Sequence, residues 1–407
     1  MKVFITGTGA ITSLGNSVDA MFESLLRGDS GVRAYPDWAQ YKGLKCLLGA
    51  PAADYDAMTL PRQVRRSMSR MSEMAALASF QALQQADISL GEKLNSPRTL
   101  ICMGSTTGSP WTLEAYFHKL FEKHGPEGQL STSFFKVMNH SVAANVAAAC
   151  EFNGALLSPS SACSTSTQAI ILGWELIRAG LYDVVVAGGA DELHFTSAAV
   201  FDVVQAASHK YNDRPNETPR PFDKDRDGLV VSEGAGVVVL ESETHAIKRG
   251  AKLLAEVNGG SYLCDGTHMS QSNASTMART MQEALTRANM KASDIGYVNA
   301  HATGTHQGDN EEAQAIFEIF GKDTPVSSLK GHMGHSLAAC GALEAIASIQ
   351  MINKNVLIPT RNLGERDPAC APIHLFKEVT PTRMRSVLSN NFAFGGMNTS
   401  LLLSAVH

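Results

Sequence analysis

The sequence predicts an α/β protein of two duplicated halves, one spanning residues 1–245 and the other 246–407. Three observations predict it. The order strand, helix, strand occurs twice; a Ser-Ser pair precedes a helix in each half; and each half has an apolar strand leading into paired glycines.

The elements follow in order. The opening Met-Lys-Val-Phe-Ile-Thr-Gly reads as a strand and turn rather than a signal peptide. Met71–Ala86 has the period of an amphipathic helix and leads to a strand over Thr99–Gly108; Met277–Ala288 leads in the same way to Ile295–Gly304. Ser160-Ser-Ala-Cys opens the helical stretch Gln168–Ala179, and Ser327-Ser-Leu-Lys-Gly-His-Met-Gly-His precedes Ala338–Asn353. Val184–Gly189 and Val387–Gly396 complete the two sets. The join falls near Glu241–Ala251, a charged surface helix and cap with no Pro/Ser linker, so the halves are expected to pack rigidly.

Composition narrows the class. The 407 residues are 44% hydrophobic and 18% charged with a net charge of −5, which is globular and not nucleic-acid-binding in character. Seven scattered cysteines without a C-x-x-C pair argue against a disulfide framework or zinc site and fit a reducing, cytoplasmic setting. No apolar run approaches the roughly 20 residues that span a bilayer.

Duplicated α/β halves bring equivalent turns together at the carboxyl ends of central strands. One such turn holds Cys163, at the start of a helix whose unpaired N–H groups favour a thiolate and should lower its pKa below about 8.5. Packing is the alternative, since free cysteine is among the most buried residue types. The other half offers His301 directly after a strand, and Lys330 and His335 in a glycine-rich turn. His332 and His335 have a ligand-like i, i+3 spacing, but Lys330 would oppose a cation and no carboxylate adjoins them, so no metal is expected. The early Gly7-Thr-Gly9 lacks the third glycine and later acidic residue of a dinucleotide site. A non-enzymatic partner subunit is the remaining alternative.

With Ser161-Ala-Cys-Ser-Thr-Ser, Pro219-Arg-Pro-Phe-Asp-Lys-Asp-Arg-Asp-Gly, Ser232-Glu-Gly-Ala-Gly, Tyr297-Val-Asn-Ala-His-Ala-Thr-Gly-Thr, Ser328-Leu-Lys-Gly-His-Met-Gly-His and Asn391-Phe-Ala-Phe-Gly-Gly-Met-Asn, the chain resembles the elongating β-ketoacyl-acyl-carrier-protein synthases, condensing enzymes of the thiolase fold. The resemblance implies a layered α-β-α-β-α structure and decarboxylative condensation of a malonyl-carrier protein with an acyl chain held on Cys163. The Cys163, His301, His335 set is that of the elongating class. It implies an oxyanion hole from the N–H groups of Cys163 and Phe394, with Phe394 as a gate hinged on Gly395 and Gly396. Lys330 would be held by Glu312, with Asp309 as a second candidate. Thr303 and Thr305 would meet the pantetheine arm, Thr107 and Phe392 the acyl chain, and Asp265 and Ser270 the facing loop.

No resident cofactor is implied, because the phosphopantetheine arm arrives on the acyl carrier protein. Arg62, Arg65 and Arg66, on one side of a helix over Pro61–Arg70, form either a solvated face or a docking patch for that acidic partner. The resemblance further implies a homodimer, or a heterodimer with a chain-length-setting sister. Ala393, Met397, Thr107 and His332 depart from the usual pattern and leave fatty-acid and type II polyketide or polyene pathways both open.

Overall fold

The computed structural model describes residues 1–91, 94–266, 268 and 271–406. Eleven strands form the main sheet: β1 (Val3–Ile11), β2 (Thr99–Gly104), β3 (Ala155–Leu157), β4 (Val184–Asp191), β5 (Gly234–Ser242), β6 (Ala255–Cys264), β7 (Tyr297–Asn299), β8 (Pro325–Ser327), β9 (His374–Leu375), β10 (Ser386–Ala393) and β11 (Met397–Ser404). Their spatial order is β9-β8-β7-β10-β11-β6-β1-β5-β4-β2-β3.

The duplication is written in that order. β1-β5-β4-β2-β3 in the first half matches β6-β11-β10-β7-β8 in the second. In each set the first two pairings are antiparallel and the last two parallel. The halves join through β1 and β6 at Phe4↔Glu256 and Ile5↔Ala255. β4 and β5 are buried along their whole length, which explains their nearly unbroken apolar runs.

Six helices complete the layers: α1 (Arg70–Gln85), α2 (Ser141–Ala149), α3 (Thr165–Arg178), α4 (Ala274–Ala288), α5 (His306–Phe320) and α6 (Cys340–Lys354). α3 and α6 lie centrally, sharing one apolar core with strands of both halves. α1 and α2 cover the outer face of the first half, and α4 and α5 that of the second. The early glycines serve this layering. A Cβ on Gly7 or Gly9 would fall 2.0 Å from the Ala82 carbonyl oxygen or 1.8 Å from that of Ala78, so they let α1 lie directly on β1.

Several expected boundaries move. β2 stops at Gly104 and β7 at Asn299, where the chain turns into site loops. Gly188 and Gly189 lie inside β4, whereas Gly395 and Gly396 make the turn after β10. Between Pro61 and Arg70 only Arg62–Arg65 is helical before α1 begins. At the join the helix is Glu243–Lys248, and Glu241 is a buried strand residue held by Thr6, His245 and Arg249. No helix among the described residues is long and apolar enough to cross a membrane.

Candidate active site

Both central helices are entered through a single 3-10 turn, Ala162–Ser164 before α3 and Leu337–Ala339 before α6. In each, the first residue is left-handed, with φ 49° at Ala162 and at Leu337. That conformation costs a non-glycine residue roughly 1–2 kcal/mol, so the surroundings must enforce it. At Ala162, the Ser161 N–H donates to Thr165 Oγ1 at 2.9 Å and the Thr165 hydroxyl to the Ala162 carbonyl at 2.8 Å. Cys163 sits in the first turn, and His335 two residues before Leu337.

Cys163 Sγ lies 2.9 Å from His335 Nε2. The His301 and His335 rings meet edge to face at 5.2 Å. His335 is fixed by its backbone, whose N–H donates to the Val230 carbonyl and whose carbonyl accepts from the Ser232 N–H. His301 follows β7 directly, and its N–H and that of Ala302 donate to the carboxyl oxygens of Glu312 at 2.8 and 2.7 Å.

Glu312 therefore holds the His301 loop and does not hydrogen-bond Lys330 as expected. Lys330 Nζ donates instead to Glu344 Oε1 at 2.5 Å, both side chains being fully buried. Glu344 Oε2 accepts from Asn391 Nδ2 at 2.7 Å. Asp309, the second candidate, accepts from the N–H groups of Phe222 and Gly304 and faces Arg226 at 3.5 Å. Glu344 left a readable trace, a lone charge in the otherwise apolar or small stretch Cys340–Ser348.

Burial, the charge of Lys330 and, for His301, the neighbouring His335 hold both imidazoles well below 6.5, so they are neutral. The expectation for the thiol reverses. Burial pushes Cys163 up to about 12, outweighing Lys330, so the resting sulfur is a thiol and not a helix-stabilised thiolate. Burial works against the Lys330 ammonium too, but Glu344 holds it above its ordinary value. Burial also raises Glu344 against the pull of Lys330; the ammonium seated directly on Glu344 Oε1, with the Asn391 amide on Oε2, makes the pair a charged one.

A cleft opens over these groups, lined among others by Thr303, Thr305, Phe392, Phe394 and Asp265. The Thr303 and Thr305 hydroxyls are 3.2 Å apart. Phe392 is buried with its ring 6.3 Å from His301, whereas Phe394 is 40% exposed with its ring 5.6 Å from Phe201. Gly395 and Gly396 have φ 88° and 74°. A Cβ on Gly396 would fall 2.2 Å from Asp265 Oδ1, which places Asp265 against the Gly395-Gly396 turn.

Thr107 does not join them. It is exposed beyond β2 and is not part of the cleft wall. Ser270 lies outside the described residues, while Gln271 and Ser272 from the same loop line the cleft, as do Phe201, Leu229 and Met277. Arg62 and Arg66 are exposed; Arg65 is half-buried, its Nε donating to the Leu60 carbonyl at 3.1 Å. His332 is buried away from the cleft between the carbonyls of Asp29 and Pro359, and burial lowers it to about 4.

Ligand atoms of Cys163, His301 and His335 lie within 4.8 Å of one another, close enough to share a metal ion. The donor set does not favour one. Lys330 places a positive charge beside all three, and the nearby carboxyl groups of Glu344 and Glu312 are committed to Lys330 and to backbone N–H groups.

Residues 1–246 match the beta-ketoacyl synthase N-terminal domain and residues 254–364 the C-terminal domain. The chain is 34% identical over 406 residues to the 3-oxoacyl-[acyl-carrier-protein] synthase 1 of Escherichia coli (strain K12), covering 99% of this chain and 98% of that one. It superposes on a beta-ketoacyl synthase from Burkholderia phymatum STM815 with a TM-score of 0.96 and 43% identity, covering 100% of both. It superposes on the ishigamide ketosynthase/chain length factor with a TM-score of 0.91 and 28% identity, covering 100% of this chain and 99% of that one.

Proposed function

The chain belongs to the beta-ketoacyl synthase family and is a C–C bond-forming acyltransferase of the condensing type, and from that premise we propose a mechanism for its cleft and the partners it works with. The observation that carries the mechanism is the 2.9 Å contact between Cys163 Sγ and a neutral His335 Nε2.

Cys163 attacks the thioester of an incoming acyl-carrier protein. Its proton passes to His335 Nε2 and then to the leaving pantetheine sulfur, so the acyl-sulfur bond to the carrier breaks as the one to Cys163 forms. A thiol near 12 makes this base necessary. A malonyl-carrier protein then loses CO2. His301 and His335, as neutral N–H donors to the thioester oxygen, stabilise the enolate, whose carbon attacks the acyl-Cys163 carbonyl; the bond from that carbonyl to the Cys163 sulfur then breaks, the β-ketoacyl-carrier protein leaves, and the sulfur takes up a proton from solvent to return to the thiol. Nδ1 of each ring is buried without a hydrogen-bond partner among the described residues, so neither tautomer is locked. His335 can accept a proton in one step and donate in the other.

For the oxyanion we assign the N–H groups of Cys163 and Phe394, donors typically worth about 3 kcal/mol each. The duplication supports the first. The Ala338 N–H occupies the place in the second turn that Cys163 N–H has in the first, and it donates to the Asp191 carboxylate at 2.8 Å. The same turn thus already presents an N–H to an anionic oxygen. Thr303 and Thr305 would bind the pantetheine amides, Phe392 and Phe394 the acyl chain and its entry, and Glu312 would act by setting His301. No resident cofactor has a role in this chemistry.

The acyl carrier protein is the proposed partner, docking at Arg62, Arg65 and Arg66. A second subunit would cover the sheet edge at β3, where Leu156 and Leu157 are exposed, and Trp111, Phe117, Phe121, Phe134 and Phe135 are exposed large hydrophobic residues that it would cover too. Thr107, four residues before Trp111, would reach an acyl chain only across that contact. A second copy of this chain or a chain-length-setting sister, as in the ishigamide complex, would fit; Cys163 makes this chain the catalytic member.

Incubation with acyl- and malonyl-carrier proteins should release CO2 and give a β-ketoacyl product two carbons longer. A panel of saturated and polyunsaturated chains would assign the pathway. No product from any pair would overturn the reading.

A further inference from the structure

We propose that Cys340 is a positioning residue for the nucleophile, its S–H holding the Cys163 carbonyl across the boundary between the two halves. The proposal rests on the condensing reading of Cys163. Cys340 is the first residue of α6, and its Sγ lies 3.1 Å from the Cys163 carbonyl oxygen. It is 2% exposed and packs in one cluster with Cys163 and Ala393, with Met397 against its edge. In that setting burial keeps its thiol protonated, so the sulfur is a donor and not a competing nucleophile.

The donor is itself fixed. Asn391 Nδ2 donates to Cys340 Sγ at 3.4 Å and to Glu344 Oε2, while Asn391 Oδ1 accepts from the Thr167 hydroxyl at 2.5 Å. A hydrogen-bonded line therefore runs from Lys330 through Glu344, Asn391 and Cys340 to the backbone of Cys163. Bonds linked in this way polarise and rigidify one another.

Two further bonds cross the boundary from the α6 side. The Ala338 N–H donates to Asp191 and the Ala342 N–H to Ser166 Oγ. Asp191 thereby ties down the turn that follows His335, as Cys340 ties down the turn carrying Cys163. The left-handed Ala162 immediately before the nucleophile gives this anchor its purpose. A strained turn relaxes unless its neighbours over-determine it, and relaxation would move Sγ and the adjoining N–H together.

The test compares C340A and C340V, which lack a donor at two sizes, with C340S, which keeps one. Single-turnover acyl transfer from an acyl-carrier protein to Cys163 is measured beside malonyl decarboxylation and thermal stability. C340A and C340V should transfer acyl groups roughly three- to tenfold more slowly, the range of one neutral hydrogen bond, with KM for the carrier unchanged. C340S should stay within about twofold of wild type, and decarboxylation should be unaffected in all three. Wild-type transfer in either C340A or C340V, or C340S as slow as C340A, would show that Cys340 merely packs. A wild-type protein that takes up no acyl chain would overturn the condensing reading, and this proposal with it.

Discussion

Replacing Glu344 with Gln removes one charge from an ion pair whose side chains are 1% and 0% exposed. Lys330 would then be a buried ammonium without a carboxylate, and leaving one partner of such a pair uncompensated typically costs about 3–5 kcal/mol. Unfolding entropy runs near 2.1 cal/mol/K per residue, so a chain of 407 residues has about 0.85 kcal/mol/K. The expected fall in Tm is about 4–6 °C. Differential scanning calorimetry on wild type, E344Q and the double variant K330M/E344Q measures it. The double variant should recover most of the loss, because a buried pair replaced on both sides leaves no orphan charge. A Tm for E344Q within about 1 °C of wild type, or a double variant melting below the single, would refute the reasoning.

H301A should lose malonyl decarboxylation by roughly 10²- to 10⁴-fold yet still accept an acyl chain, whereas H335A should slow both steps because its Nε2 adjoins the sulfur; release of CO2 is the readout. Reversing the charge of Arg62, Arg65 and Arg66 to Glu should raise KM for the carrier with little change in kcat, and steady-state kinetics at two salt concentrations checks it. Burial raises Glu312 to about 8, so the folded chain keeps a proton that an unfolded carboxylate has lost above about pH 4.5. Its contribution to stability is complete at lower pH and lost as pH rises to about 8. Tm followed from pH 5 to 9 should therefore fall more steeply for wild type than for E312Q, and parallel curves would contradict the assignment.

The duplicated order of elements was legible because each half buries its strands on both faces and marks its helix starts with small residues. The meeting of Cys163, His301 and His335 was legible from the same logic, as turns at equivalent strand ends. Partner choice inside the site was not. Glu312 and Glu344 are both compatible with Lys330 in sequence, and only packing decides that one carboxylate goes to backbone N–H groups and the other to the ammonium. The thiol pKa was misread because a helix start is visible in sequence while the depth of burial that outweighs it is not. Thr107 stands outside the cleft of a single chain, and a residue that would reach the site only through a second subunit has no signature in one chain.

The most direct test of the account is intact-protein mass spectrometry after incubation with an acyl-carrier protein, followed by peptide mapping. The account predicts one acyl group per chain, located on Cys163 and absent from C163A. An adduct that persists in C163A, or maps to Cys340 or another residue, would contradict it.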